Sequence, residues 1–193
     1  MKRIAVFCGS SPGNDPAFME LAYQLGQQLA TGHIGLVYGG AKVGLMGAVA
    51  DGALSLQGEV VGVLPTFLQT KEIAHEGLTE LILVESMHQR KTKMHELSDG
   101  VITLPGGYGT LEEYFEVLTW GQLGLHKKPI ALLNINGYYD GLLTLADTMV
   151  ANGLLKQVNR DMMLISNTIE DLLQQMHSYT PPTVGKWLTP EKT

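Results

Sequence analysis

The sequence predicts an α/β protein, a doubly wound and mostly parallel sheet of about seven strands with helices on both faces. Two observations carry this. Short β-branched or apolar runs alternate with longer stretches whose apolar residues recur at three- and four-residue spacing, and glycine-rich turns stand where strands give way to helices. The composition agrees, with 193 residues, 45% of them hydrophobic and 17% charged, and 23 glycines. That is enough chain for one generous hydrophobic core and little for two.

The strands are expected at Arg3 to Cys8, Ile34 to Tyr38, Glu59 to Leu64, Leu81 to Glu85, Gly100 to Leu104, Pro129 to Asn134 and Met162 to Ile165. Each is a run of about four to six apolar or β-branched residues bounded by turn formers, the signature of a strand covered on both faces. Helical periodicity fills the intervals at Phe18 to Ala30, Leu45 to Leu56, Met87 to Leu97, Leu111 to Leu123 and Tyr139 to Val150, and closes the pattern at Ile169 to Met176. The result is a Rossmann-like domain over residues 1–179. A tail over residues 180–193 follows, in which Pro181, Pro182 and Pro190 forbid a continued helix.

Composition also restricts function. A net charge of -6 and the absence of a Lys/Arg run argue against a nucleic-acid grip, which needs a basic surface. The single Cys8 cannot form an internal disulfide, so the fold suits a reducing cytoplasm. The first apolar run breaks at Gly9-Ser10-Ser11-Pro12, too soon for a signal peptide, and no stretch approaches the roughly 20 apolar residues of a membrane span. A cytoplasmic protein with neither nucleic-acid nor membrane partner is expected.

In open α/β sheets ligands bind beyond the carboxyl ends of the strands, which directs attention to three glycine-rich turns. They are Gly9 to Gly13, Gly39 to Gly47 and Pro105 to Thr110. None matches a dinucleotide fingerprint, because Glu112 stands where the third glycine after Gly107 and Gly109 belongs. Nor is Gly39 to Gly44 a P-loop, since Leu45 and Met46 replace the Lys and Ser/Thr. What remains at Gly107 to Thr110 is a turn opening onto a helix, whose free N–H groups and positive dipole end suit one phosphate; the plainer reading is that these glycines only turn the chain.

Two charged residues stand out. Arg90 shares the apolar side of its helix with Met87, Met94 and Leu97, as does Lys91, so both either snorkel to water or face a cleft and an anion. Glu113 has a bland role available, because Thr110-Leu111-Glu112-Glu113 reads as a capping box with Thr110 as N-cap and Glu113 at N3. Cys8 ends the first strand without a recognisable His partner, which favours a small buried core residue over a nucleophile. The six histidines show no paired-ligand spacing, so no metal is expected, and His88 and His95 read as ordinary helix residues.

The segments Met87-His88-Gln89-Arg90-Lys91 and Pro105-Gly106-Gly107-Tyr108-Gly109-Thr110-Leu111-Glu112-Glu113, in this order within one βα framework, resemble the paired signatures of the LOG (lonely guy) family. The similarity extends from Ala5-Val6-Phe7-Cys8-Gly9-Ser10-Ser11 through Gly39-Gly40 and Gly44-Leu45-Met46-Gly47 to Gly137-Tyr138-Tyr139. It implies a phosphoribohydrolase of cytokinin riboside 5'-monophosphates or AMP, working without a cofactor as a homodimer on a small nucleotide substrate. By that resemblance Arg90 and Glu113 match the catalytic pair. Lys91, the loop Gly107, Tyr108, Gly109, Thr110, Leu111 and Glu112, and Thr119 match nucleotide contacts, and Glu72 matches a further one. Ser10, Gly39, Gly40 and Met46, in the other two glycine-rich turns, complete the expected substrate site. The chain also looks like proteins labelled possible lysine decarboxylases, a label that would require a Schiff-base lysine the sequence does not single out. A non-catalytic nucleotide or phosphate carrier on the same fold is the rival reading, and it would not need Arg90 and Glu113 together.

Overall fold

The computed structural model describes residues 1–69 and 74–182. Seven strands form one sheet, and every neighbouring pair runs parallel. They are β1 (Arg3–Phe7), β2 (Gly35–Tyr38), β3 (Val60–Pro65), β4 (Glu80–Val84), β5 (Gly100–Thr103), β6 (Ile130–Leu133) and β7 (Met163–Ser166). The helices are α1 (Pro16–Thr31), α2 (Gly44–Ser55), α3 (Met87–Leu97), α4 (Tyr108–Gln122), α5 (Asp140–Ala151), a one-turn α6 (Gln157–Arg160) and α7 (Ile169–Ser178).

Alternation along the strands divides the apolar side chains between two cores. Ile4, Val6, Leu36, Tyr38, Ile102 and Leu104 pack one face under α1, α2 and α7, whereas Ala5, Phe7, Val37, Val63 and Val101 pack the other under α3, α4 and α5. Both faces are covered, and so the strands read as continuous apolar runs.

The strand order β4-β3-β2-β1-β5-β6-β7 places the reversal of winding between β1 and β5. There the connections leave the sheet in opposite directions, opening a crevice beyond the strand ends where ligands bind in folds of this kind. The loops meeting at that crevice are the ones singled out for their glycines. Gly9 N–H donates to Pro105 O at 3.0 Å, and Leu45 N–H donates to Gly9 O at 3.1 Å, which stitches the β1, β2 and β5 loops together.

Element boundaries depart from the periodicity at helix starts. Helix α1 begins two residues early because Asp15 caps it, accepting from Ala17 N–H at 2.9 Å, and Pro16 stands in the first turn. The more consequential shift is in α4, which begins at Tyr108 with Gly107 as N-cap and not with Thr110. The capping-box reading of Thr110 and Glu113 is therefore corrected. Leu111 N–H already bonds Gly107 O, so Thr110 lies inside the first turn, where its buried side chain packs against Gly106. Apolar periodicity missed this turn because Tyr108, Gly109 and Thr110 carry no core stripe.

Candidate active site

A cavity of about 230 Å³ opens at the β1/β5 crevice. Its lining includes the predicted residues Ser10, Gly39, Met46, Arg90, Gly107, Gly109, Thr110, Glu112 and Glu113. Gly9, from the first glycine-rich turn, also lines it, as do Val6, Phe7, Cys8, Met87 and Met94, a soft apolar wall that the sequence assigns to core or leaves unassigned. Their apolar spacing is that of core residues, and only the missing neighbour on one side distinguishes them.

Arg90 reaches the cavity through the body of the protein. Ser86 caps α3 by accepting from Gln89 N–H at 3.2 Å, and α3 then lies on the face where Arg90 is 7% exposed. Its Nε donates to Val63 O at 3.1 Å and its Nη2 to Gly39 O at 2.8 Å, so carbonyls of β3 and of the loop after β2 hold the guanidinium plane. Among the described residues Nη1 has only the Met87 sulfur at 3.9 Å, which leaves donors for a ligand. Glycine at 39 is a steric requirement, since a Cβ there would fall 2.0 Å from Arg90 Nη2. Gly40, with φ +80, is buried against Leu64 and Leu81 and turns the chain without lining the cavity.

Lys91 does not snorkel. It is 4% exposed, and its Nζ pairs with Glu112 at 2.5 Å and Glu116 at 3.0 Å, which ties α3 to the first turns of α4. Those two carboxylates raise its pKa although burial opposes them. The sequence reading had Lys91 as a nucleotide contact, whereas among the described residues it is engaged with α4 and is not part of the cavity lining.

Glu113 lines the cavity half-buried, without a cationic nitrogen within 4.0 Å among the described residues. Burial pushes its pKa up to about 7; Arg90 and Lys91 pull it down, while Glu112 and Glu116 push it further up. A carboxyl poised near neutrality beside an immobilised guanidinium is a typical acid–base arrangement. The Cys8 thiol is buried, and burial together with Glu113 drives its pKa well up, so it stays protonated and is no nucleophile.

The start of α4 borders the same cavity through Gly107, Gly109 and Thr110. No side chain caps it, and the N–H groups of Gly107 and Tyr108 have no acceptor among the described residues. Gly107, Tyr108 and Gly109 are solvent-exposed, Tyr108 to 95%. Leu111 and Tyr108 are not part of the cavity lining. Thr119 is not brought to this cavity either; it lines a separate apolar cleft of about 210 Å³ with Phe115, Leu118, Leu142 and Leu145, because it lies on α4 beyond Glu113 on another face. Glu72 lies outside the described residues.

Among the described residues no three His, Cys, Asp or Glu side chains gather as a metal site. His95 packs against His126 and Trp120, and burial, with Lys128 and His126 nearby, lowers its pKa to about 4, so it stands neutral in the helix packing.

Comparison with known proteins bears on this geometry. The family model described as "Possible lysine decarboxylase" matches residues 46–176. A cytokinin riboside 5'-monophosphate phosphoribohydrolase of Arabidopsis thaliana is 47% identical over 180 residues, 93% of this chain and 83% of the relative. A probable enzyme of the same name from Oryza sativa subsp. japonica is 49% identical over 181 residues, 94% of this chain and 74% of the relative. The chain belongs to the LOG family. Among solved structures, a molybdenum cofactor binding protein from Rippkaea orientalis superposes with a TM-score of 0.68 at 26% identity, over 91% of this chain and 95% of that one. The molybdenum cofactor carrier protein of Chlamydomonas reinhardtii, with a TM-score of 0.69 at 18% identity over 92% and 98% of the two chains, shares the fold. The decarboxylase description of the family model does not fit the cavity chemistry. A Schiff-base lysine must lose its proton easily, and Lys91, the buried lysine beside the site among the described residues, is held as an ammonium by two glutamates.

Proposed function

We propose that this chain hydrolyses the N-glycosidic bond of adenine-type nucleoside 5'-monophosphates, N6-modified cytokinin riboside 5'-monophosphates or AMP, and releases the free base and ribose 5-phosphate. One observation carries the reading: the partly desolvated Glu113 carboxyl, unpaired among the described residues, shares a cavity with a fixed Arg90 and with a helix start whose N–H donors have no acceptor among those residues.

Breaking the C1'–N bond builds positive charge on the ribose. The Glu113 carboxylate offsets that charge and takes a proton from the water whose oxygen bonds C1', the departing nitrogen takes a proton from solvent to leave as neutral base, and Glu113 then returns its proton to solvent. The amides at the start of α4 hold the 5'-phosphate, with Ser10 across the crevice. Tethering the phosphate places C1' against the carboxylate, so binding energy remote from the reacting bond accelerates its cleavage. Arg90 is pinned by backbone carbonyls and not by Glu113, which leaves Nη1 to act on the nucleotide, either at the departing base or at the ribose hydroxyls. The sulfur-rich wall of Met46, Met87 and Met94 adapts to a planar apolar base.

Incubation with AMP and with N6-isopentenyl-AMP tests this, with free base and ribose 5-phosphate as the expected products. A second reading, a nucleotide or phosphate carrier on the same fold, draws support from the molybdenum cofactor binding protein at 26% identity. Bound nucleotide without release of either product selects the carrier. We further infer a cytoplasmic homodimer. No described helix is long and apolar enough to cross a membrane, and the exposed Phe115 and Leu145 at the apolar cleft suit a subunit contact; light scattering at twice the chain mass is the expected result.

A further inference from the structure

The motif Gly137-Tyr138-Tyr139 lies outside the cavity, yet both tyrosines reach back to the loop that opens α4. Tyr139 donates its hydroxyl to Leu104 O at 2.6 Å, and Tyr138 donates to Gly106 O at 2.7 Å. With Gly9 N–H on Pro105 O and Leu111 N–H on Gly107 O, four successive carbonyls, of Leu104, Pro105, Gly106 and Gly107, are all occupied by donors.

This occupancy has a directional consequence. A trans peptide is planar, with its N–H opposed to its C=O. Tying down the Gly106 carbonyl therefore aims the Gly107 N–H the other way, and tying down the Gly107 carbonyl does the same for Tyr108 N–H. The loop presents donors alone. The peptide between Gly106 and Gly107 is the weak point, because glycine on both sides leaves it free to rotate. Tyr138 is what holds it. Its ring is in turn seated edge-on against Phe18, centroids 5.6 Å apart, and against Tyr139 at 5.0 Å.

We propose that Tyr138 is a positioning residue for anion recognition, holding the Gly106–Gly107 peptide so that its N–H and not its carbonyl faces the bound phosphate. The inference rests on the reading that this loop takes the 5'-phosphate, and it assigns to Tyr139 a different part. The unit whose carbonyl Tyr139 holds runs into Pro105, which has no N–H to aim. Tyr139 thus braces the loop without orienting a donor.

The test compares Tyr138→Phe and Tyr139→Phe, each of which removes one hydroxyl and keeps the ring. Readouts are the preference for a nucleoside 5'-monophosphate over its nucleoside, taken as the ratio of kcat/KM, and inhibition by ribose 5-phosphate. Tyr138→Phe is expected to lower that ratio about three- to tenfold, the scale of one hydrogen bond, mainly through KM, and to weaken ribose 5-phosphate inhibition in parallel. Tyr139→Phe is expected to lower the melting temperature and keep the ratio. If the parent protein shows the preference and Tyr138→Phe retains it in full, the positioning role is overturned. Equal losses in the two variants overturn it as well, because a loop that merely loosens would respond to either. A parent protein that shows no preference for the phosphate removes the phosphate reading itself, and the positioning role falls with it.

Discussion

Replacing Glu113 by Gln is expected to slow turnover by orders of magnitude and at the same time make the protein harder to unfold at alkaline pH. The carboxyl has an ordinary value near 4.5 and is pushed up to about 7 in the folded chain, chiefly by burial. Between those values the unfolded chain is ionised at this position and the native chain still holds the proton, so native stability falls as pH rises from about 4.5 and levels off above about 7. At about 1.4 kcal/mol per tenfold step, the gap amounts to roughly 3 kcal/mol of destabilisation at pH 8. A neutral amide avoids it, and for a domain of this size that is a rise of about 6–12 °C in melting temperature. The gain shrinks as pH falls through about 4.5 and vanishes below it, where the carboxyl is protonated in both states. Loss of the carboxylate should cost roughly 10²–10⁴ in kcat, the range of a general base. Melting curves of both proteins from pH 4.5 to 8.5, with base release measured alongside, check both halves. A melting-temperature difference that is absent at pH 8, or constant with pH, refutes the desolvated carboxylate; retained turnover refutes its catalytic role.

Three further outcomes follow from the same geometry. Arg90→Lys loses the planar fork that engages Val63 O and Gly39 O together, and a drop of about 10²-fold in kcat/KM with a folded protein by circular dichroism is expected. Lys91→Met leaves Glu112 and Glu116 unneutralised near Glu113, raising its pKa further, so the acid limb of the pH–rate profile moves to higher pH; an unchanged limb contradicts the coupling. Dialysis against EDTA should leave base release unaltered, and loss of activity restored by a divalent cation would contradict a metal-free site.

How the site is assembled shows which features were legible along the chain. The apolar runs and their spacing specify seven strands and the helices between them, because burial on both faces imposes a local pattern. The glycine-rich turns, Arg90 and Glu113 were visible as local departures from that pattern. The start of α4 was misplaced, because a helix turn that faces solvent carries no apolar stripe, and a capping box formed by chance at Thr110 to Glu113. Lys91 was likewise ambiguous. Its spacing puts it on the buried side of α3, but the glutamates that receive it lie on another helix.

The sequence by itself determined the α/β class, the strands, the loops bearing the site and the two residues proposed for its chemistry, since these depend on neighbours in the chain. Tertiary structure alone decided that β1 and β5 adjoin and bring those loops to one crevice, that Arg90 is locked by carbonyls of β3 and the β2 loop, and that Tyr138 and Tyr139 occupy the carbonyls of the α4 loop. It also separated Thr119 from the cavity. The reason is physical: periodicity encodes which side of an element is dry, whereas partners distant in the chain are chosen by sheet order and by the direction in which each peptide plane is held.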